Sequence, residues 1–292
     1  MNFRIERKAL LLIAFAAFGA SRLMAGLFTV NPTDNAATLA QTFLGPGIAI
    51  VGTPALSSQP GQSGTFTDFN SGPYTQAGGG SGQYNIPSGF VLTTGVATAG
   101  TGYYIGGPNA DLSGSGNPLL SALAGTNTFD ADTLTIQFTS ANPTLSLNYA
   151  FASAEYPNSV GSQFVDAFGI FVNGTNIALV PGTTTPVSIN GVNVGVNSKY
   201  FTQYSNPGTP FNYGGVTTLL TARANVSTTS VNTIQFAIAD ASDGNVDSAL
   251  FVQGAGGAAA VPEPASLLLF SVGLVFFGAV AGLRRESTTR NI

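Results

Sequence analysis

The chain has no cysteine, no histidine and no tryptophan. Without thiols there are no disulfides, so stability must come from core packing or from bound ions. Without thiolate or imidazole, zinc sites of the usual kind cannot be built. Ser-His-Asp and Cys-His catalysis are excluded for the same reason. Charge is the next scarcity, at 8% of the 292 residues. Arg4, Arg7, Lys8 and Arg22 lie at one end, and Arg284, Arg285 and Arg290 at the other. Between them, Lys199 and Arg223 face ten carboxylates within residues 26–260, a net charge of −8. A body of that sign repels phosphate backbones, which argues against nucleic acid as a partner. Divalent cations and neutral glycans suit it better.

Apolar residues are plentiful, at 44%, with 10% aromatic. That supports a sizeable core, and one β domain of about 200–250 residues is an ordinary size. Much of the apolar excess sits in two end runs. Arg4, Arg7 and Lys8 precede the apolar Ala9–Ala20. This is the pattern of a secretory signal peptide over residues 1–25, read by the Sec export machinery, with cleavage after Ala25. A retained N-terminal anchor helix is the alternative, and the short apolar run speaks against it.

At the other end, Leu267–Leu283 is a 17-residue run without charge. As a helix it reaches about 25 Å, near the lower limit for a hydrocarbon core of about 30 Å. Arg284 and Arg285 follow at once and favour the cytoplasmic side. The order read here is an exported body, a transmembrane helix at 267–283 and a cytoplasmic tail at 287–292. A buried core helix is the alternative. It fits poorly, because the run is apolar all round and lies beyond the linker "GAGGAAA" at 254–260.

Pro262-Glu263-Pro264, a single apolar helix and the Arg284-Arg285 cluster together resemble the PEP-CTERM sorting signal of Gram-negative bacteria. The likeness covers residues 261–286. It implies a transit anchor, processed near Pro262–Pro264 by an exosortase, and a destination at the cell surface or in the exopolysaccharide matrix.

Between the ends the apolar period is two. "TLTIQFT" (133–139) puts Leu134, Ile136 and Phe138 on one face, and "TLSLNYAF" (144–151) does the same with Leu145, Leu147, Tyr149 and Phe151. Such alternation predicts half-buried strands. Asn173-Gly174 between apolar stretches predicts a tight hairpin. Further strands are predicted at 48–51, 65–69, 90–93, 216–222, 230–239 and 250–252. One short helix is predicted in 33–45, capped by Thr33 or Asp34 and stopped by Gly45-Pro46. Residues 71–82 and 100–117 read as loops. The expected fold is all-β, a β-sandwich with a jelly-roll-like variant in view, carrying one short N-terminal helix.

Half of the body's acids fall in two segments. Glu155 and Asp166 lie in 149–174, and Asp240, Asp243 and Asp247 lie in 235–252. All five sit at predicted strand ends. Hard cations such as Ca²⁺ take six to eight oxygens, so a metal site built from Glu155, Asp166, Asp240, Asp243 and Asp247 is one reading. Turn chemistry is the other, since Asp and Asn side chains bond their own backbone. The spacing is not that of an EF-hand loop.

The same segments, "FASAEYPN", "FVDAFGIFVNG" and "AIADASDGNVDSALFV", resemble the choice-of-anchor L domain of bacterial surface proteins. "NAATLAQTFLGPGIAI" and "GFVLTTG" fit its N-terminal half, so the likeness covers most of residues 26–253. The chain departs from the family where Ala154 precedes Glu155 and Val165 precedes Asp166, positions at which relatives often carry Glu and Asn. The family brings no known catalytic activity and implies an exported surface domain.

An enzyme would have to rely on carboxylates. Glu155 with Asp166 or Asp240 could serve a glycosidase only across a cleft. Ser198-Lys199 as strand neighbours would point to opposite faces, against a Ser-Lys dyad. The favoured expectation is a non-enzymatic component of the cell surface or matrix. A glycan-binding or adhesive module is the alternative, with aromatic platforms in "YFTQYSNPGTPFNYGG" (200–215).

Overall fold

A computed structural model describes residues 28–70, 74–75, 81–82, 85–204 and 211–253. The signal segment, the linker beyond Gln253, the sorting motif and the apolar run 267–283 lie outside the described residues. Among the described residues, no helix is long and apolar enough to cross a membrane.

The chain opens with β1 (Thr29–Pro32), α1 (Ala36–Phe43), β2 (Ile48–Ser57) and β3 (Ser63–Asn70). Two short strands follow, β4 (Tyr74–Thr75) and β5 (Ser81–Gly82), then β6 (Asn85–Thr93) and α2 (Pro118–Ala124). Next come β7 (Thr128–Ser140), β8 (Thr144–Ser153), β9 (Ala167–Val172) and β10 (Thr175–Asn176). A 3₁₀ turn at Ser198–Tyr200 leads to β11 (Phe201–Gln203) and β12 (Gly215–Thr217). The series ends with β13 (Leu220–Asn225), β14 (Asn232–Ala241) and β15 (Ser248–Gln253).

β4 and β5 pair only with each other, and the remaining strands form two large antiparallel sheets. The first, sheet A, runs β1-β3-β6-β15-β8-β12-β11, with β13 also paired to β8. The second, sheet B, runs β10-β9-β14-β7-β2. They face one another across an apolar core, as the period of two requires. Sheet A supplies Phe90, Leu92, Leu147, Phe151 and Leu250, and sheet B supplies Leu134, Ile136, Phe168, Ile170 and Phe236. Rings meet across the gap: Phe90 and Phe236 are 5.0 Å apart, and Phe151 stacks on Phe168 at 4.5 Å. The expected all-β sandwich is present.

Both outer faces are partly covered. Phe251 and Val91 turn away from the core of sheet A and meet Phe28, Phe69 and Phe211. Leu120 of α2 packs on Ala237, Ala239 and Phe171 of sheet B.

Helix α1 differs from expectation at its start. Asn35 is the cap, its Oδ1 accepting the N–H groups of Ala37 at 3.0 Å and Thr38 at 3.1 Å. Asp34 instead accepts the Gly61 N–H at 3.1 Å. The helix places Leu39, Ala40 and Phe43 in the main core, with Phe43 5.6 Å from Phe236.

The expectation of a single helix is corrected by α2. Its signals were present in "NPLLSALAG": Asn117 caps, Pro118 takes the first turn and Gly125 closes it at φ 73°. The predicted strand 216–222 is split between β12 and β13. The residues Ser198 and Lys199 stand in a 3₁₀ turn and not on a strand, because Asn197 adopts φ 50° before them. The hairpin prediction holds: Asn173 and Gly174 take φ 49° and 84°, the left-handed pair that a two-residue turn needs.

Candidate functional site

The inward-facing series on each strand continues past the apolar core at one end of the sandwich, and there it turns polar. On β7, Phe138, Ile136 and Leu134 are followed inward by Asp132 and Asp130, all buried. On β14, Ile234, Phe236 and Ile238 lead to Asp240. Asp166 stands two residues before Phe168 of β9. Sheet A reaches the same end with hydroxyls: Thr94 two residues beyond Leu92, Ser153 two beyond Phe151, and Ser248 two before Leu250. Glu155 continues the β8 series, and Asp247 immediately precedes β15.

Hydroxyls of sheet A meet carboxyls of sheet B. Ser63 Oγ reaches both oxygens of Asp132, at 3.0 and 2.8 Å, and the Thr93 N–H donates to Oδ2 at 3.3 Å. Ser248 Oγ donates to Asp166 Oδ2 at 2.5 Å. Glu155 Oε2 accepts the Asp166 N–H at 2.8 Å. Asp247 Oδ1 accepts the Ala110 N–H at 2.9 Å. Asp130 holds the 112–114 loop through the N–H groups of Leu112, at 2.8 Å, and Gly114. A register shift on β14 between Ile238 and Asp240 faces Asp130, which has φ 48°. Such a bulge re-aims side chains next to it.

Four buried carboxylate oxygens have no hydrogen-bond partner: Asp166 Oδ1, both oxygens of Asp240, and Asp247 Oδ2. Among the described residues no basic side chain compensates them, since Lys199 and Arg223 are both exposed. Burial therefore pushes Asp240 up to about 10, with Asp166, Asp247 and Asp130 adding repulsion and the nearby Thr94 hydroxyl offsetting part of it. Burial raises Asp132 to about 8 and Asp247 to about 6. Glu155 is raised by burial, then by the charges of Asp240 and Asp243. Asp166 is raised by burial, then by the charge of Glu155.

Of the five acids singled out in the sequence, Glu155, Asp166, Asp240 and Asp247 are thus buried at one end. Asp243 is half-buried on the β14–β15 turn, where its Oδ1 accepts the Asn245 N–H at 3.2 Å. Among the described residues, no three acidic side chains are set around one point as metal ligands would be. Asp130 and Asp132 were missed, although the alternation read over 133–139 extends directly to them. Glu155 and Asp166 are buried and bonded to one another, which is not the open cleft of a glycosidase. In the segment 200–215, where aromatic platforms were expected, Phe201, Tyr204, Phe211 and Tyr213 are buried and Tyr200 is half-buried. Pro262, Glu263, Pro264, Arg284 and Arg285 lie outside the described residues.

The choice-of-anchor L domain family matches residues 29–256, and the PEP-CTERM protein-sorting motif matches residues 260–285. The chain belongs to the choice-of-anchor L domain family and carries a PEP-CTERM sorting motif, the marks of an exported, surface-sorted protein. Neither family is a family of enzymes. No curated protein and no solved structure matches the chain.

Proposed function

We propose that the protein is a non-enzymatic structural component of the cell surface or exopolysaccharide matrix. In this reading Sec exports it, the apolar run 267–283 holds it in transit, and an exosortase processes it near Pro262–Pro264. The observation that carries the reading is the order of parts: a folded β body matched over 29–256, then at once a sorting motif at 260–285. The body's chemistry is consistent with a structural role, because six of its acids (Asp130, Asp132, Glu155, Asp166, Asp240 and Asp247) are buried and it has no histidine or cysteine. Glycan binding is the weaker alternative, since the aromatic side chains of the 200–215 segment that are described are mostly used in packing. Fractionation of cells expressing the full chain and a chain ending at Ala260 tests the sorting. The full chain is expected in the envelope or matrix, and the shortened chain free in the medium. Equal retention of both would overturn the role of the tail.

A further inference from the structure

We propose that Asp166, Asp240 and Asp247 form a divalent-cation site, best suited to Ca²⁺, between the ends of the two sheets. Three observations converge. First, four oxygens of these side chains are buried without a hydrogen-bond partner. Orphaned buried oxygens are costly, and carboxylates are the costliest. Second, the three groups come from different elements, Asp166 before β9, Asp240 on β14 and Asp247 before β15, and their charges act on one another through the interior. Third, a cavity of about 260 Å³ has Asp166 in its lining, together with Val165, Ala167, Pro186, Val187 and Asn190. The cavity reaches Asp166; Asp240 and Asp247 are not part of its lining.

A hard cation suits oxygen-only donors, and Ca²⁺ accepts irregular shells completed by water and carbonyls. Mg²⁺ requires near-ideal octahedral geometry and gives up water reluctantly, so this enclosed site disfavours it. The carboxylates do not converge on one point as they stand. Asp240 is held loosely, because the Thr94 hydroxyl approaches it without forming a close hydrogen bond to either oxygen. Asp166 and Asp247 each keep one bonded oxygen, to Ser248 and Ala110, while offering the other.

The test is thermal melting of the full chain in detergent at pH 7.5, with EDTA, with CaCl₂ and with MgCl₂. Calcium at a hundredfold excess over its Kd should raise Tm by about 5–10 °C, and magnesium by much less. Asp240→Asn should fold, because the neutral amide matches the uncharged acid in shape, and should lose the calcium shift. Asp68→Asn, at an exposed position, should keep it. Tb³⁺ emission sensitised by tyrosine gives a second reading, since Tyr213 feels the charges of Asp247 and Asp166. Tyr213→Phe should weaken that emission while leaving the calcium shift in place. No calcium shift in the parent chain, or an equal shift in Asp240→Asn, would overturn the site.

Discussion

The Ser248 hydroxyl donates to Asp166 Oδ2 at 2.5 Å, tying the start of β15 in sheet A to the start of β9 in sheet B. Both groups are buried, and the Ala241 N–H is a further donor facing the Asp166 carboxyl. Ser248→Ala removes the short hydroxyl donor and leaves the Ala241 N–H as the donor facing the buried carboxyl. The expected cost is about 1–3 kcal/mol of unfolding free energy. Urea unfolding of the full chain would measure it, and an unchanged midpoint would show that the bond contributes nothing.

Gly95 lies where an added Cβ would come within 1.8 Å of Asp247 Oδ2. A methyl group there must push the carboxylate off its bond to the Ala110 N–H. Gly95→Ala is therefore expected to destabilise by about 1–3 kcal/mol through overpacking. Gly61→Ala is a contrast of a different kind: a Cβ there meets nothing within 4 Å, but φ is 84°. Its cost should come from backbone strain alone and leave any response to calcium intact. Melting curves of both variants, with and without calcium, separate the two effects.

Stability should fall as pH rises. Asp132 is raised to about 8 when folded, against about 3.9 in an unfolded chain. Below about pH 4 both states hold the proton, so its stabilising effect is complete there. Between about 4 and 8 the unfolded chain has released it while the folded chain keeps it, and stability declines by up to about 1.4 kcal/mol per pH unit. Above the folded value the contribution is lost. Asp240, raised to about 10, carries the same decline further. Asp132→Asn should flatten the slope between pH 5 and 8 in chelator-treated buffer. A slope equal to that of the parent would contradict the assignment.

Helix α1 closes the main core through Phe43, which lies 6.0 Å from Phe138 and 5.6 Å from Phe236. Phe43→Ala should cost about 3–5 kcal/mol, the usual range for deleting a buried ring. Far-UV circular dichroism at low temperature should still report the β sheets. Loss of the sheet signal would mean that the helix is needed for folding and not only for stability.

Much of this architecture was legible in the sequence, and the failures have physical reasons. Period-two alternation is local, so 133–139 and 144–151 predicted strands that the sheets contain. The same alternation ran on to Asp132 and Asp130, but charged residues at inward positions look like a strand's end until tertiary structure shows them buried. Helix α2 is short and has one fully buried side chain, Leu120, so its apolar pattern was weak and its caps carried the signal. The grouping of Glu155, Asp166, Asp240 and Asp247 depended on which strand ends meet. That is a non-local property of the order β9-β14 in one sheet and β15-β8 in the other. The aromatic residues of 200–215 were misjudged because Phe201 enters the main core, and Tyr204, Phe211 and Tyr213 join the cluster on the outer face of sheet A.

The sorting reading is tested most directly by the intact mass of the full-length gene product recovered from the cell surface. The expected mass corresponds to a chain beginning near Gly26 and ending near Pro262–Pro264. A mass that still includes Leu267–Ile292 would contradict processing at the sorting motif.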